Sequence, residues 1–252
     1  MRANFNGFAS LLHYTRAAHS LGLWQSERRL IERFFPEVST PLLEAGCGSG
    51  RVTMGLWKMG YRRITAFDFA GELLDQARSM AAAQGAEEIV FLHADATDLD
   101  RTAFFPQAGD GFGGALFMFN GLMQIPGRQN RRVALLNLSG LCRGGAPLVF
   151  TSHDRDRAAH GRAFWRDEAE RWASGRQDPR LNEFGDRLGE DESGPVFIHI
   201  PDRAEILADL AATGWIHEFD AMRDELADES PAVRDFSDNC RFWVAKRAPA
   251  SP

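Results

Sequence analysis

The stretch Pro41 to Gly50, P-L-L-E-A-G-C-G-S-G, constrains this chain more than any other. An apolar run ends in Glu44, glycines follow at 46, 48 and 50, and a helical pattern begins at once. That order predicts a buried strand entering a tight turn and then a helix. Glycines in such a turn tolerate positive φ and let a ligand lie against bare backbone. The helix start near Arg51 leaves free N–H groups facing the turn. The stretch therefore reads as a nucleotide-type ligand site. A dinucleotide fingerprint needs G-x-G-x-x-G. In the two registers available here, Arg51 or Thr53 stands where its third glycine belongs.

What is present is E-x-G-x-G-x-G, which resembles motif I of the class I S-adenosylmethionine (SAM) dependent methyltransferases. Two further stations follow in order: Ile64 to Asp68 is similar to the family's second strand with its terminal acid, and Phe91 to Ala96 to its third strand with a D-A end. The similarity spans roughly residues 41–152. It implies a doubly wound α/β sheet of Rossmann-like type, seven-stranded and mostly parallel, with SAM as cofactor and S-adenosylhomocysteine as product. It also implies one domain over 1–252. Residues 1–40 would form a helical lid, 41–152 the SAM-binding core, 153–200 a substrate cap, and 201–252 a closing helix and antiparallel hairpin.

The cofactor residues implied by motif I are Glu44, Gly46, Cys47, Gly48 and Arg51. Asp68, 18 residues beyond Gly50, ends the second strand. Its two oxygens suit the vicinal diol of a ribose, although an acid there also serves as a helix N-cap. Phe69 either stacks on adenine or belongs to the core. The resemblance places Asp95 and Ala96 near the adenine amino group, with a solvated loop as the alternative for Asp95. It places Phe119 and Asn120, at the end of the fourth strand, beside the reactive sulfur. Asn120-Gly121 is equally a plain turn. Gln124 faces either the methionine end of the cofactor or the substrate.

His153, Asp154, Arg155 and Asp156 follow the fifth strand directly. His153 is read as the catalytic proton acceptor, against the alternatives of a charged loop starting a helix and of a carboxylate metal site. No metal is assigned. Residues beyond it break the βα rhythm. Trp165, Ala169 and Trp172 mark an amphipathic helix, and Val196 to Ile200 a strand. Trp165 and His199 are candidate substrate contacts, each weighed against plain packing; so is Tyr14, on an N-terminal helix marked by Phe5, Phe8, Leu11 and Leu12. A second helix runs from Leu23 to Pro36. Residues 101–114 read as a loop. Asp202 with Glu205 reads as a capping box, and the acids of 224–229 as a solvated connection between the last two strands.

Composition limits the partners. A formal charge of −6 argues against a general nucleic-acid binder, though Arg128, Arg131 and Arg132 keep a local patch open. No apolar run reaches the ~20 residues of a membrane helix. No secretion signal is read in the first residues, and Cys47, Cys142 and Cys240 are scattered without metal spacing. Both fit a reducing, cytoplasmic setting. The expected reaction is in-line transfer of a methyl group from SAM to an N or O nucleophile of a small molecule. The motifs of adenine- or glutamine-directed amino methylation and of cytosine C5 methylation are missing. RNA or protein methylation, and SAM binding without transfer, stay open as alternatives, and the pattern leaves monomer and homodimer equally open.

Overall fold

In a computed structural model, the structure describes residues 20–157, 159–191 and 194–249. Helix α1 (Gln25–Phe34) leads to β1 (Leu42–Ala45), α2 (Arg51–Lys58), β2 (Ile64–Asp68), α3 (Gly71–Ala83) and β3 (Val90–His93). A short α4 (Phe105–Ala108) precedes β4 (Gly114–Phe117), α5 (Arg128–Leu141) and β5 (Pro147–Ser152). Then come α6 (Ala159–Ala173), β6 (Asp186–Asp191), β7 (Gly194–His199) and α7 (Arg203–Ala212). The chain closes with β8 (Trp215–Met222), α8 (Arg223–Leu226), α9 (Pro231–Phe236) and β9 (Arg241–Arg247).

Seven strands form one sheet in the order β3-β2-β1-β4-β5-β9-β8. The five strands from β3 to β5 are parallel, and β9 runs antiparallel to both β5 and β8. The fold is thus the seven-stranded, mostly parallel, doubly wound sheet expected. The last strand does more than decorate the edge. It inserts between β5 and β8, leaving β8 outermost.

The core sits on both faces of the sheet, as parallel strands require. One layer joins Leu43, Phe67, Phe117, Leu148, Phe150 and Trp243 to α5 and α7. The other joins Leu42, Leu116, Val149 and Val244 to α1 and α2. β1 and β4 are adjacent while their chain neighbours run outward in opposite directions, so the order reverses between them. Ligands of such sheets bind outside the carboxyl ends of the strands at this switch point.

Several local expectations need correction. Residues 101–114 are not all loop: Arg101–Ala103 is a 3-10 turn capped by Asp100, whose carboxylate accepts from the Thr102 N–H, and α4 follows. The acidic run after β8 begins in α8, with α9 following it; Asp224, Glu225 and Asp228 are exposed, as a solvated connection requires. Glu229 within it is buried, and its carboxylate accepts from the N–H groups of Gln25 and Ser26 at 3.1 and 2.8 Å. It satisfies orphan donors at the start of α1 from across the molecule. Only half of the capping box exists. Asp202 accepts from the Glu205 N–H, but the Glu205 carboxylate turns away to His199, Arg131 and Arg155. Charge, not helix capping, claims it.

Candidate active site

The glycine turn has the conformation its sequence predicts. Gly46, Gly48 and Gly50 all have positive φ, at 63°, 53° and 84°. A Cβ on Gly46 would lie 2.7 Å from the Phe117 ring, while one on Gly48 would meet nothing within 4 Å. The first glycine is demanded by packing, and the second opens backbone to a ligand. Between them Cys47 is buried, its thiol pushed well above the usual range by burial and then by the charge of Asp68. It is no nucleophile at neutral pH.

Asp68, at the tip of β2, is bound to this turn. One oxygen accepts from the Gly48 N–H at 2.8 Å and the other from the Ala70 N–H at 2.9 Å. Burial raises its pKa and these amides oppose the rise. Each oxygen keeps acceptor capacity for a further donor such as a ribose hydroxyl. Ala70, not Asp68, is the N-cap of α3. Glu44, behind the turn, accepts a hydrogen bond from the Thr53 hydroxyl, and its pKa is raised to about 8 by burial. It stands mostly protonated at neutral pH, so it supplies hydrogen bonding rather than charge.

Arg51 is buried and held by Glu27 of α1 through two contacts, at 2.7 and 2.6 Å, with a third to the Gly22 carbonyl. Its guanidinium lies 4.6 Å from the Trp24 ring centre and 5.9 Å from that of Phe119. The Arg51 side chain is therefore committed to fastening α1 onto the glycine turn. Asp95 closes a local turn by accepting from the Thr97 N–H and hydroxyl. Ala96 beside it is buried, with its carbonyl bound to the Asn137 side chain at 2.9 Å. Phe69 is half-buried, and its carbonyl is met by His93 at 2.9 Å.

At the end of β4 the backbone departs from ordinary geometry. Phe119 and Asn120 have φ of 52° and 58°, and no other described non-glycine residue is positive. Strain of this kind collects at functional sites. The Asn120 N–H donates to the Thr151 hydroxyl at 2.7 Å, and its Nδ2 lies 3.3 Å from His153 Nε2. The buried Asn120 Oδ1 has no hydrogen-bond partner. His153 is half-buried, and its pKa is lowered by burial in spite of nearby Asp238 and a hydrogen bond to the Asn239 backbone. Gln124 ends a 3-10 turn just beyond, half-buried.

The connection from β8 to β9 completes this edge, which its acidic sequence did not suggest. Phe236 stacks on Phe119 at 5.5 Å, and Trp24 meets Phe119 edge-on at 5.7 Å. Arg223 places its guanidinium 5.3 Å from the Trp24 ring centre. The only hint in the sequence was position: these residues lie between two strands whose adjoining ends fall on the carboxyl edge.

The predicted cap residues lie elsewhere. Trp165 is buried against Phe164 and Phe184. His199 is fully buried, with Nδ1 2.8 Å from Asp186 and Nε2 2.8 Å from Glu205. Burial alone would lower its pKa, but the two carboxylates hold it above the ordinary value. Glu183, Asp186 and His199 have the spacing of a cation site, within 4.8 Å of one another. Arg131 Nη2, 2.9 Å from Glu183, already brings positive charge there. The arginines read as a basic patch are engaged likewise, Arg128 and Arg132 both with Asp209, at 2.8 and 2.7 Å. Tyr14 lies outside the described residues. Among the described residues, no helix is long and apolar enough to cross a membrane.

Sheet order, glycine turn and acid-tipped β2 are the features of the class I SAM-dependent methyltransferase fold. Residues 42–139 match a family model described as a methyltransferase domain, and the chain is an enzyme of that kind with SAM as its methyl donor. No curated protein matches the chain. Among solved structures, it is similar to a SAM-dependent methyltransferase from Methanosarcina mazei, at 17% identity and a TM-score of 0.65, covering 87% of this chain and 97% of that one. It is similar to the magnesium protoporphyrin IX methyltransferase of Synechocystis PCC 6803 with bound S-adenosylhomocysteine, at 13% identity and 0.56, covering 94% and 84%. The 4+2 cyclase SpnF is also similar, at 15% identity and 0.66, covering 98% and 95%.

Proposed function

We propose that this enzyme methylates an N or O nucleophile of a small-molecule acceptor. The observation that carries the reading is the strained Phe119–Asn120 pair at the switch point, with an unpartnered Oδ1 and a neutral His153 beside it. Bound SAM supplies an activated methyl group on a sulfonium, so the chain's task is mainly alignment. Gly46, Cys47 and Gly48 hold the cofactor by backbone, and Asp68 takes the ribose hydroxyls. Phe69, Asp95 and Ala96 face the adenine. Phe119 and Asn120 border the methionine end, while Glu44 and Arg51 fix the turn from behind.

His153 accepts the acceptor's proton where one must leave. Its burial keeps it neutral, which a proton acceptor needs. Gln124 borders the acceptor. Residues 153–200 form the cap, which Trp165 and His199 build rather than line. A small molecule fits the absence of a free basic patch at Arg128, Arg131 and Arg132 and the porphyrin acceptor named for the Synechocystis neighbour. The test is incubation with methyl-labelled SAM and a fractionated cell extract. Label is expected in small metabolites; label in tRNA or protein alone overturns the reading.

A second reading has one specific support. SpnF is described as a cyclase yet shares this fold, so SAM binding without methyl transfer is the rival. Tight S-adenosylhomocysteine binding with no labelled product in any fraction favours it.

A further inference from the structure

Two guanidinium groups lie against the Trp24 ring, and they are treated differently. Arg51 is paired by Glu27 through both Nη atoms. Arg223 is only 5% exposed, yet among the described residues no carboxylate pairs with it. Its Nη2 donates to the Ser237 carbonyl at 2.8 Å, and its Nη1 is buried with no hydrogen-bond partner. The indole Nε1–H of Trp24, 2% exposed, is unpartnered as well. A buried cation without a paired carboxylate is costly, and a buried donor left unmade forfeits the hydrogen bond it had with water. A fold that satisfies Arg51 so fully has no packing reason to leave Arg223 unsatisfied.

Position supplies the second argument. Arg223 directly follows β8, whose carboxyl end lies on the ligand edge of the sheet, and its N–H is pinned to the Cys240 carbonyl at 2.8 Å. Trp24 joins it to Phe119 and hence to Asn120. Its charge is felt at His153. Arginine and tryptophan side chains offer donors only, whereas the unpartnered Asn120 Oδ1 is an acceptor.

We propose that Arg223 Nη1 and Trp24 Nε1 bind a carboxylate within the methyl-transfer site; the inference rests on the reading of that site given above. Two molecules at this edge carry such a group by their chemistry: the amino-acid end of SAM, or an acceptor that is itself a carboxylic acid. In both cases Asn120 Oδ1 takes an N–H or O–H of the same molecule.

The experiment is calorimetric titration of the full chain and of Arg223→Gln and Trp24→Phe. The second variant keeps an aromatic ring against Phe119 and removes the N–H together with the five-membered part of the indole. One arm compares S-adenosylhomocysteine with its decarboxylated analogue. The other titrates the S-adenosylhomocysteine-saturated protein with benzoate and with benzamide. If the carboxylate is the cofactor's, the wild type prefers the intact nucleotide by about tenfold or more, and both variants shrink that ratio. If it is the acceptor's, benzoate binds, benzamide does not, and both variants weaken benzoate alone. S-Adenosylhomocysteine binding with both comparisons unchanged in Trp24→Phe and in folded Arg223→Gln overturns the proposal. Should Arg223→Gln not fold, the Trp24→Phe comparison decides alone. No binding of S-adenosylhomocysteine by the wild type overturns the reading of the site itself.

Discussion

Asn120 Nδ2 lies 3.3 Å from His153 Nε2, across the adjoining carboxyl ends of β4 and β5. Where the amide N–H donates to that nitrogen, the contact uses its lone pair, which a neutral imidazole with its proton on the other nitrogen supplies.

That tautomer gives a pH profile. Burial lowers the His153 pKa, so the group charges only below its ordinary value of about 6.5. The methylation rate is expected to be flat through neutral pH and to fall on the acid side. His153→Gln should lose that acid limb and about 100-fold in kcat. The check is kcat against pH for both proteins.

Strain at Phe119–Asn120 predicts a split between stability and binding. Asn120→Gly suits φ of 58°, and relief is worth about 1 kcal/mol or more. Thermal unfolding should occur at the same or a higher temperature. S-Adenosylhomocysteine affinity should fall about tenfold, because Oδ1 and the tie to His153 are gone. Calorimetry and a melting curve on the same sample settle both halves.

Glu27→Gln should be among the most damaging changes outside the sheet. It leaves Arg51 buried without its carboxylate, a loss of about 3–5 kcal/mol. Replacing both partners by methionine should cost less than that single change. Urea denaturation of the three proteins is the measurement.

His199 predicts a loss of stability toward high pH. Its pKa is raised in the folded chain by Asp186 and Glu205 against the effect of burial. Its contribution is therefore fully present below about 6.5 and lost as pH rises through the higher folded value. Melting temperature should decline across that range in the wild type. In His199→Gln it should be lower at pH 6 and nearly flat across that range. Glu183, Arg131 and Arg155 face the same cluster.

What the sequence disclosed was local. The turn at Gly46 to Gly50 and the acid of Asp68 are each set by a few neighbouring residues, and spacing reveals them. The pairing of Glu27 with Arg51 joins residues of different helices, and no periodicity reports it. Acids at 224–229 looked solvated because composition cannot distinguish an exposed carboxylate from Glu229, buried at the foot of α1. Asp186 to Asp191 concealed a strand for the same reason, being too charged to show alternation. His199 and Trp165 were found as unusual residues, but only the fold shows them buried, Trp165 against Phe164 and Phe184 and His199 between Asp186 and Glu205.

The insertion of β9 between β5 and β8 has a consequence for synthesis. Until residues 241–247 leave the ribosome, the two strands that flank them are raw edges, open to pairing with other chains. The segment bearing Arg223 and Phe236 is likewise tethered at one end only. Catalytic competence should therefore appear late and all at once, and a chaperone that shields β5 and β8 should raise the yield of a nascent chain more than one acting on the glycine turn.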